Sequence, residues 1–116
     1  MQASLLRAVR VVLDEWEDSV LVQDMTQLGY YSRNYWPTYR PRSFMTSSPQ
    51  ITLGCSWPLA LGAKLGRPGA AVVALVGDGG WLYNMQELAT AVQHGIPAVA
   101  IGLGRIVALH HRSSTP

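Results

Sequence analysis

The start of the chain shows two different patterns of apolar residues. From Ser4 to Trp16 they recur three and four positions apart, which predicts an amphipathic helix. Residues 19–23, SVLVQ, form a continuous apolar and β-branched run that predicts a buried parallel strand ending at Asp24. The face of the helix that we expect to be buried holds Leu5, Leu6, Val9, Val12, Leu13 and Trp16.

Aromatic, proline, serine and arginine residues dominate the segment after Asp24, which predicts a short helix running into an irregular loop. Its rings and arginines could stack nucleic-acid bases. They could equally form a packed lid or an oligomer contact, and the hydrophobic composition favours this second interpretation. The residues concerned are Tyr30, Tyr31, Arg33, Tyr35, Trp36, Tyr39, Arg40 and Arg42.

Small residues mark the next predicted helix, residues 53–65, which the sequence GRPG ends. Pro58 is expected in its first turn, where a missing amide costs little. The small residues would allow the sheet or another helix to approach closely. They are Gly54, Ala60, Gly62 and Ala63.

The second half of the chain continues this alternation. Residues 71–76, AVVALV, predict a buried strand, and residues 96–101, IPAVAI, predict another. Between them, Asn84 and Glu87 have the spacing of a capping box for a helix that Gly95 ends. Helices and strands that alternate in this way predict an α/β fold with a doubly wound parallel sheet and flanking helices.

The sequence Gly77-Asp78-Gly79-Gly80 follows a predicted buried strand directly. Glycines at the carboxyl edge of a parallel sheet let backbone amides approach an anion such as a phosphate. A carboxylate beside a diphosphate would repel it unless a divalent cation lay between them. The motif therefore indicates a diphosphate site with Mg²⁺ bound by Asp78.

Two common nucleotide motifs are not met. Trp81 and Leu82 stand where the dinucleotide fingerprint would continue to its third glycine, which argues against a nicotinamide or flavin oxidoreductase. No Gly-Lys-Ser or Gly-Lys-Thr follows the glycines, which argues against a nucleoside triphosphatase.

The wider context is more specific. GDGGWLYNMQELATAVQHGIPAV resembles the cofactor motif of thiamine-diphosphate-dependent enzymes, and ITLGCSWPLALGAKLGRPGAAVVALVGDGG is similar to the stretch that precedes it. The resemblance covers about residues 19–101 and is closest to the acetolactate synthase and 2-oxo acid decarboxylase group. It implies a C-terminal cofactor-binding domain.

The resemblance also implies roles for individual residues. Asp78 corresponds to the first protein ligand of Mg²⁺, and the amides of Gly79 and Gly80 to the groups that hold the diphosphate. Leu53 corresponds to the large apolar residue that bends the cofactor, and Ile51 to a backbone carbonyl that meets the aminopyrimidine. Gly54 and Gly77 lie beside these positions and complete the set of cofactor-binding residues that we predict.

The match ends near residue 101. The second metal ligand of the family would fall on Arg105, whose side chain cannot bind Mg²⁺, and we expect residues 102–116 to form a divergent, disordered tail. Residues 1–101 would then be a partial domain of a truncated chain. No catalytic residue is predicted, since the family's activating glutamate lies on a separate pyrimidine-binding domain, and we expect the chain to be inactive alone.

Composition limits the partners of the chain. Hydrophobic residues make up 48% and charged residues 14%, so we expect a protein partner to cover part of the surface. The resemblance implies that this partner is another copy of the chain or the pyrimidine-binding domain of a relative. A net charge of +2 argues against nucleic acid. No signal peptide or membrane-spanning run is apparent, and Cys55, the single cysteine, suits the reducing cytoplasm.

Two functions of different classes follow from these observations. The first is the thiamine diphosphate and Mg²⁺ binding portion of an enzyme that decarboxylates or ligates 2-oxo acids. The second is a non-catalytic assembly module that docks on a full-length relative through the aromatic loop and an exposed sheet edge.

Overall fold

The computed structural model describes residues 1–46 and 52–102 and the backbone of residues 105–108. Ile51, and with it the predicted carbonyl contact, lies outside the described residues. Helices and strands alternate over most of the chain. In order, they are α1 (Gln2–Asp14), β1 (Ser19–Gln23), α2 (Gln27–Tyr35), β2 (Phe44–Thr46), α3 (Ser56–Gly66), β3 (Ala71–Val76), α4 (Asp78–Asn84), α5 (Glu87–Gln93), β4 (Val99–Gly102) and β5 (Arg105–Ala108).

The strands form one sheet in the order β2-β1-β3-β4-β5. β1 to β4 are parallel, with Leu21 opposite both Phe44 and Val73, and Val73 opposite Val99. β5 runs antiparallel at the edge. Helices cover both faces of the sheet, so the predicted doubly wound α/β fold is confirmed.

The two faces of the sheet bury separate apolar clusters because successive residues of a strand point to opposite sides. On one face, Val20 and Val22 of β1 pack with α3 and α5 through Trp57, Ala60 and Ala91. On the other face, β1 and β3 pack against α1 and α2. That second cluster contains Leu6, Val9, Leu13, Leu21, Leu28, Val73 and Leu75.

Some details of the helix predictions are wrong. The helix predicted over residues 53–65 begins only at Ser56. Val12 and Trp16 were expected on the buried face of the first helix, but both are exposed. α1 buries a narrower stripe through Leu6, Val9 and Leu13, and it ends at Asp14, before Trp16. Gly62 was expected to allow close packing, but a Cβ built there meets no atom within 4 Å. Two other small residues of α3, Ala60 and Ala63, do pack in the core.

The aromatic segment packs against α1. Tyr31 and Tyr35 of α2 stack with their ring centroids 4.3 Å apart. The guanidinium of Arg10 lies 5.0 Å from the rings of both Trp36 and Tyr39, in cation–π geometry. Tyr31 and Trp36 are half-buried against the core cluster that contains Leu6, whereas Tyr35 and Tyr39 remain exposed.

The end of the described chain differs from the prediction. Residues 102–116 were expected to form a divergent, disordered tail, but the backbone of residues 105–108 forms β5, which pairs antiparallel with β4 and lies with Arg105 opposite Gly102. Residues 103, 104 and 109–116 lie outside the described residues. In the portions of the chain that are described, no helix is both long and apolar enough to cross a bilayer.

Gly29 provides a test of the packing between α2 and β1. A Cβ at this position would lie 2.1 Å from the backbone oxygen of Asp24, which cannot move without disturbing β1. We expect Gly29→Ala to lower the free energy of unfolding by about 3 kcal/mol. Gly62→Ala is the matched control, and it should stabilise α3 by about 0.5–1 kcal/mol. Urea unfolding of both variants measures the difference, and equal stabilities would contradict this account of Gly29.

Candidate functional site

The candidate site lies where β1 and β3 end side by side. The chain leaves β1 toward β2 on one side of the sheet and continues from β3 toward β4 on the other, so these neighbours form a topological switch point. Connections that diverge at the carboxyl ends of parallel strands leave a crevice, which is the usual ligand site of open α/β sheets. Asp24 follows β1 at this edge, and Gly77 follows β3.

Asp24 is a buried acidic residue that joins several segments. Its side chain is 1% exposed, and its two carboxylate oxygens accept hydrogen bonds from different parts of the chain. Oδ1 accepts from the amides of Met25 at 2.7 Å and Gly54 at 3.1 Å. Oδ2 accepts from the amide of Ser56 at 3.3 Å and from its hydroxyl at 2.8 Å. The carboxylate thus ties the end of β1 to the turn before α3.

Gly54 occupies the centre of that turn, in a conformation that favours glycine. Its φ angle is +86°, and a Cβ there would lie 2.8 Å from the Cβ of Tyr83 and 2.9 Å from the oxygen of Gly80. The side-chain amide of Asn84 donates to the Gly54 oxygen at 2.6 Å. The turn is therefore packed directly against α4.

The glycine loop, residues 77–80, passes directly from β3 into α4. Gly77 is the N-cap residue, and the helix begins at Asp78. Asp78 and Gly79 are exposed, whereas Gly80 is buried, and a Cβ on Gly80 would lie 3.1 Å from Oδ2 of Asp24. The amides at the start of a helix have no partners within it, so this loop can offer them to an anion.

The structure brings most of the predicted site residues together. Gly54 contacts Gly80, and the turn that holds Leu53 therefore lies beside the loop that begins with Gly77. Leu53 is 43% exposed, so it is not a core residue. The loop after β3 and the turn before α3 thus form one surface.

The predicted capping box is wrong. Asn84 was expected to cap the following helix, but it is the last residue of α4, and its side chain binds Gly54 instead. α5 begins at Glu87 after Gln86, which makes no side-chain cap hydrogen bond, and Glu87 accepts from the hydroxyl of Thr90 at 2.5 Å. The reason is that the glycine loop starts a helix at once, which leaves Asn84 at a helix end.

Sequence reasoning missed the roles of Asp24, Ser56 and Asn84. Asp24 gave a signal, since it directly follows a predicted buried strand, but its partners Gly54 and Ser56 are about 30 positions away in the chain. Asn84 gave a misleading signal because its spacing from Glu87 matches a local motif. Contacts between distant segments decide both roles.

The residues of this edge fit a diphosphate with Mg²⁺. A Cβ built on Gly79 meets no atom within 4 Å, so there is open space beside its backbone for a ligand. Among the described residues no three His, Cys, Asp or Glu side chains gather into a metal site. Mg²⁺ held on a diphosphate needs only one or two carboxylates, with phosphate oxygens and water completing its shell, and Asp78 can supply one.

Comparison with known families agrees with this geometry. Residues 24–103 match the family described as "Thiamine pyrophosphate enzyme, C-terminal TPP binding domain". The match begins at the buried aspartate and includes the turn before α3, the glycine loop and β4.

Similar proteins include several acetolactate synthases. A probable acetolactate synthase large subunit of Methanocaldococcus jannaschii is 35% identical over 82% of this chain and 16% of its own length. The acetolactate synthase of Bacillus subtilis is 37% identical over 86% of the chain and 18% of its own length. A probable 2-ketoarginine decarboxylase of Pseudomonas aeruginosa is 46% identical over 64% of the chain and 13% of its own length. The chain thus spans less than a fifth of these relatives.

The bond between Ser56 and Asp24 can be tested by its removal. Ser56→Ala deletes a hydroxyl that donates to a buried carboxylate, and we expect a loss of about 1.5–3 kcal/mol in the free energy of unfolding. Ser43 is the matched control, since its hydroxyl also makes a 2.8 Å bond, to the oxygen of Arg40, but at an exposed site. Ser43→Ala should cost about 0.5 kcal/mol or less. If denaturant unfolding shows the same loss of free energy for Ser56→Ala and Ser43→Ala, the bond between Ser56 and Asp24 adds little to the stability of the fold.

Proposed function

Because the chain belongs to the thiamine pyrophosphate enzymes, through their C-terminal TPP binding domain, we propose that it binds thiamine diphosphate and Mg²⁺ at the edge where β1 and β3 end. The observation that carries this proposal is the packing of the Gly54 turn onto the glycine loop, which places Leu53 and Asp78 on one exposed surface.

The diphosphate half of the proposed site consists of the loop after β3. The amides of Gly79 and Gly80 would donate to diphosphate oxygens, and Gly77 allows the chain to turn from the strand into α4. Asp78 would bind Mg²⁺ through a carboxylate that is exposed at the start of α4. The metal would remove the repulsion between this carboxylate and the diphosphate.

The other half of the proposed site is the turn before α3. Leu53 would support the thiazolium ring of the cofactor through its exposed apolar side chain. Gly54 would let this turn approach α4 closely. We also propose, from the family resemblance, that the backbone carbonyl of Ile51 meets the aminopyrimidine. When bound, the cofactor supplies the carbanion chemistry that acts on 2-oxo acids.

We propose that the chain is part of an enzyme that decarboxylates or ligates 2-oxo acids, as a lyase or a transferase. The names of the relatives, acetolactate synthases and a probable 2-ketoarginine decarboxylase, support this reaction class. The activating glutamate of the family lies on another domain, so we propose that this chain is inactive alone. The single cysteine, Cys55, suits a reducing compartment, and we propose a cytoplasmic location.

A second proposal concerns assembly. Several large apolar side chains are exposed close to the glycine loop. An exposed cluster of apolar side chains is typical of a protein–protein contact. We propose that another copy of the chain, or the pyrimidine-binding domain of a relative, covers them. A chain that only docked in this way would be a non-catalytic assembly module. The residues are Leu82, Tyr83 and Met85, together with Leu53.

Calorimetric titration of the purified chain with thiamine diphosphate tests the cofactor proposal. We expect binding that requires Mg²⁺, because Asp78 repels the diphosphate when the metal is absent. Asp78→Ala should weaken binding by about tenfold or more. Asp14→Ala is the matched control, since Asp14 lies on α1 and pairs with Arg10, and it should leave binding unchanged.

Two results would contradict this proposal in different ways. If the unmodified chain binds no thiamine diphosphate with Mg²⁺, it is not a cofactor-binding protein by itself. If Asp78→Ala binds as well as Asp14→Ala, the chain holds the cofactor but Asp78 is not the metal ligand.

Sedimentation velocity at micromolar concentration tests the assembly proposal. We expect the chain to associate with itself, or with the pyrimidine-binding domain of an acetolactate synthase. Leu82→Asp should weaken the association because it places a charge in the apolar contact. Val11→Asp is the matched control, since Val11 on α1 is 65% exposed and Leu82 is 67% exposed. A chain that stays monomeric and binds no relative would end this proposal.

A further inference from the structure

The buried carboxylate of Asp24 has no role in the functions proposed so far. A buried charge is costly unless hydrogen bonds compensate it, and such groups in proteins are usually paired with a cation. In the described part of the chain, neutral groups donate to the Asp24 side chain: the amides of Met25, Gly54 and Ser56 and the hydroxyl of Ser56. The carboxylate therefore gathers backbone donors from a turn that follows a different strand.

The peptide groups on both sides of Gly54 are fixed by side chains. The amide of Gly54, which belongs to the peptide bond with Leu53, donates to Asp24. The oxygen of Gly54, which belongs to the next peptide bond, accepts from the side chain of Asn84. The turn is thus clamped between the end of β1 and the end of α4.

This clamp determines where Leu53 lies. Leu53 is 43% exposed, so packing against the protein covers only part of its side chain. Its position depends on the adjacent peptide bond, whose amide Asp24 holds. The same carboxylate lies against Gly80, where a Cβ would approach Oδ2 to 3.1 Å. Asp24 therefore sets the distance between the turn of Leu53 and the glycine loop.

We propose that Asp24 and Asn84 are positioning residues of the cofactor site. Neither is proposed to contact the cofactor. Together they hold Leu53 at a fixed position relative to the loop that begins at Gly77. This inference rests on the proposed binding of thiamine diphosphate. It goes further by naming the side chains that place the two halves of the site relative to each other, since small errors in such geometry are costly.

Two substitutions test the clamp. Asp24→Asn keeps the shape of the side chain but turns one acceptor oxygen into a donor that faces other donors. Asn84→Ala removes the hydrogen bond to the Gly54 oxygen. Asn84 lies at a half-buried helix end, where the fold should tolerate the change. The control is Leu6→Ala, which destabilises the sheet face that α1 covers without touching the turn. All are compared at a temperature where circular dichroism shows each protein to be folded.

Two readouts are expected to change together. In calorimetric titration with thiamine diphosphate and Mg²⁺, Asp24→Asn should raise the dissociation constant about tenfold or more, and Asn84→Ala by about threefold or more. In hydrogen exchange followed by NMR, the amides of Gly54 and Ser56 should lose protection in Asp24→Asn beyond any global change. Leu6→Ala should show neither effect while folded, which separates positioning from stability.

Each outcome bears on the inference. If Asp24→Asn and Leu6→Ala bind the cofactor equally well and protect Gly54 and Ser56 equally, Asp24 has only a structural role and the inference is wrong. If Asp24→Asn does not fold, Asn84→Ala decides, and unchanged affinity overturns the inference. If the unmodified chain binds no cofactor, the proposed function fails, while unchanged exchange at Gly54 and Ser56 in Asp24→Asn would separately disprove the clamp.

Discussion

The hydrogen bonds of one buried carboxylate connect the segments that make up the candidate site. Asp24 follows β1, and it binds the turn of Gly54 and the first residue of α3, Ser56. It also lies against Gly80, which follows β3. Strands β1 and β3 are neighbours in the sheet, so their loops would be close in any case. The carboxylate determines how these loops are arranged, because each of its oxygens accepts donors that would otherwise be buried without partners.

The sheet supplies the rigid base for this arrangement. Apolar side chains of β1 and β3 alternate between two clusters, so both strands are held on both faces. The loops at their carboxyl ends can then expose glycines and a charged residue, Asp78, without weakening the core. The exposed side chains of Leu53, Leu82 and Tyr83 beside these loops agree with a domain that covers only part of its own site.

The candidate site consists of two segments with different properties. The glycine loop offers amides and one carboxylate, and it belongs to the segment that matches the thiamine pyrophosphate enzymes. In the proposed site, the turn of Leu53 would supply shape. The side chains of Asp24 and Asn84 bind Gly54 in that turn, so the placement of Leu53 would depend on residues that are not proposed to contact the cofactor.

The sequence by itself determined the α/β fold, the positions of β1 and β3 and the glycine loop, because buried strands and glycine turns are encoded by local patterns. Only the tertiary structure decided the rest. The exposure of Trp16, the pairing of Arg105 in β5 and the bond from Asn84 to Gly54 depend on which segments meet in space. Local spacing could suggest a capping box at Asn84, but it could not show that the side chain of Asn84 donates to the oxygen of Gly54, about 30 residues earlier in the chain.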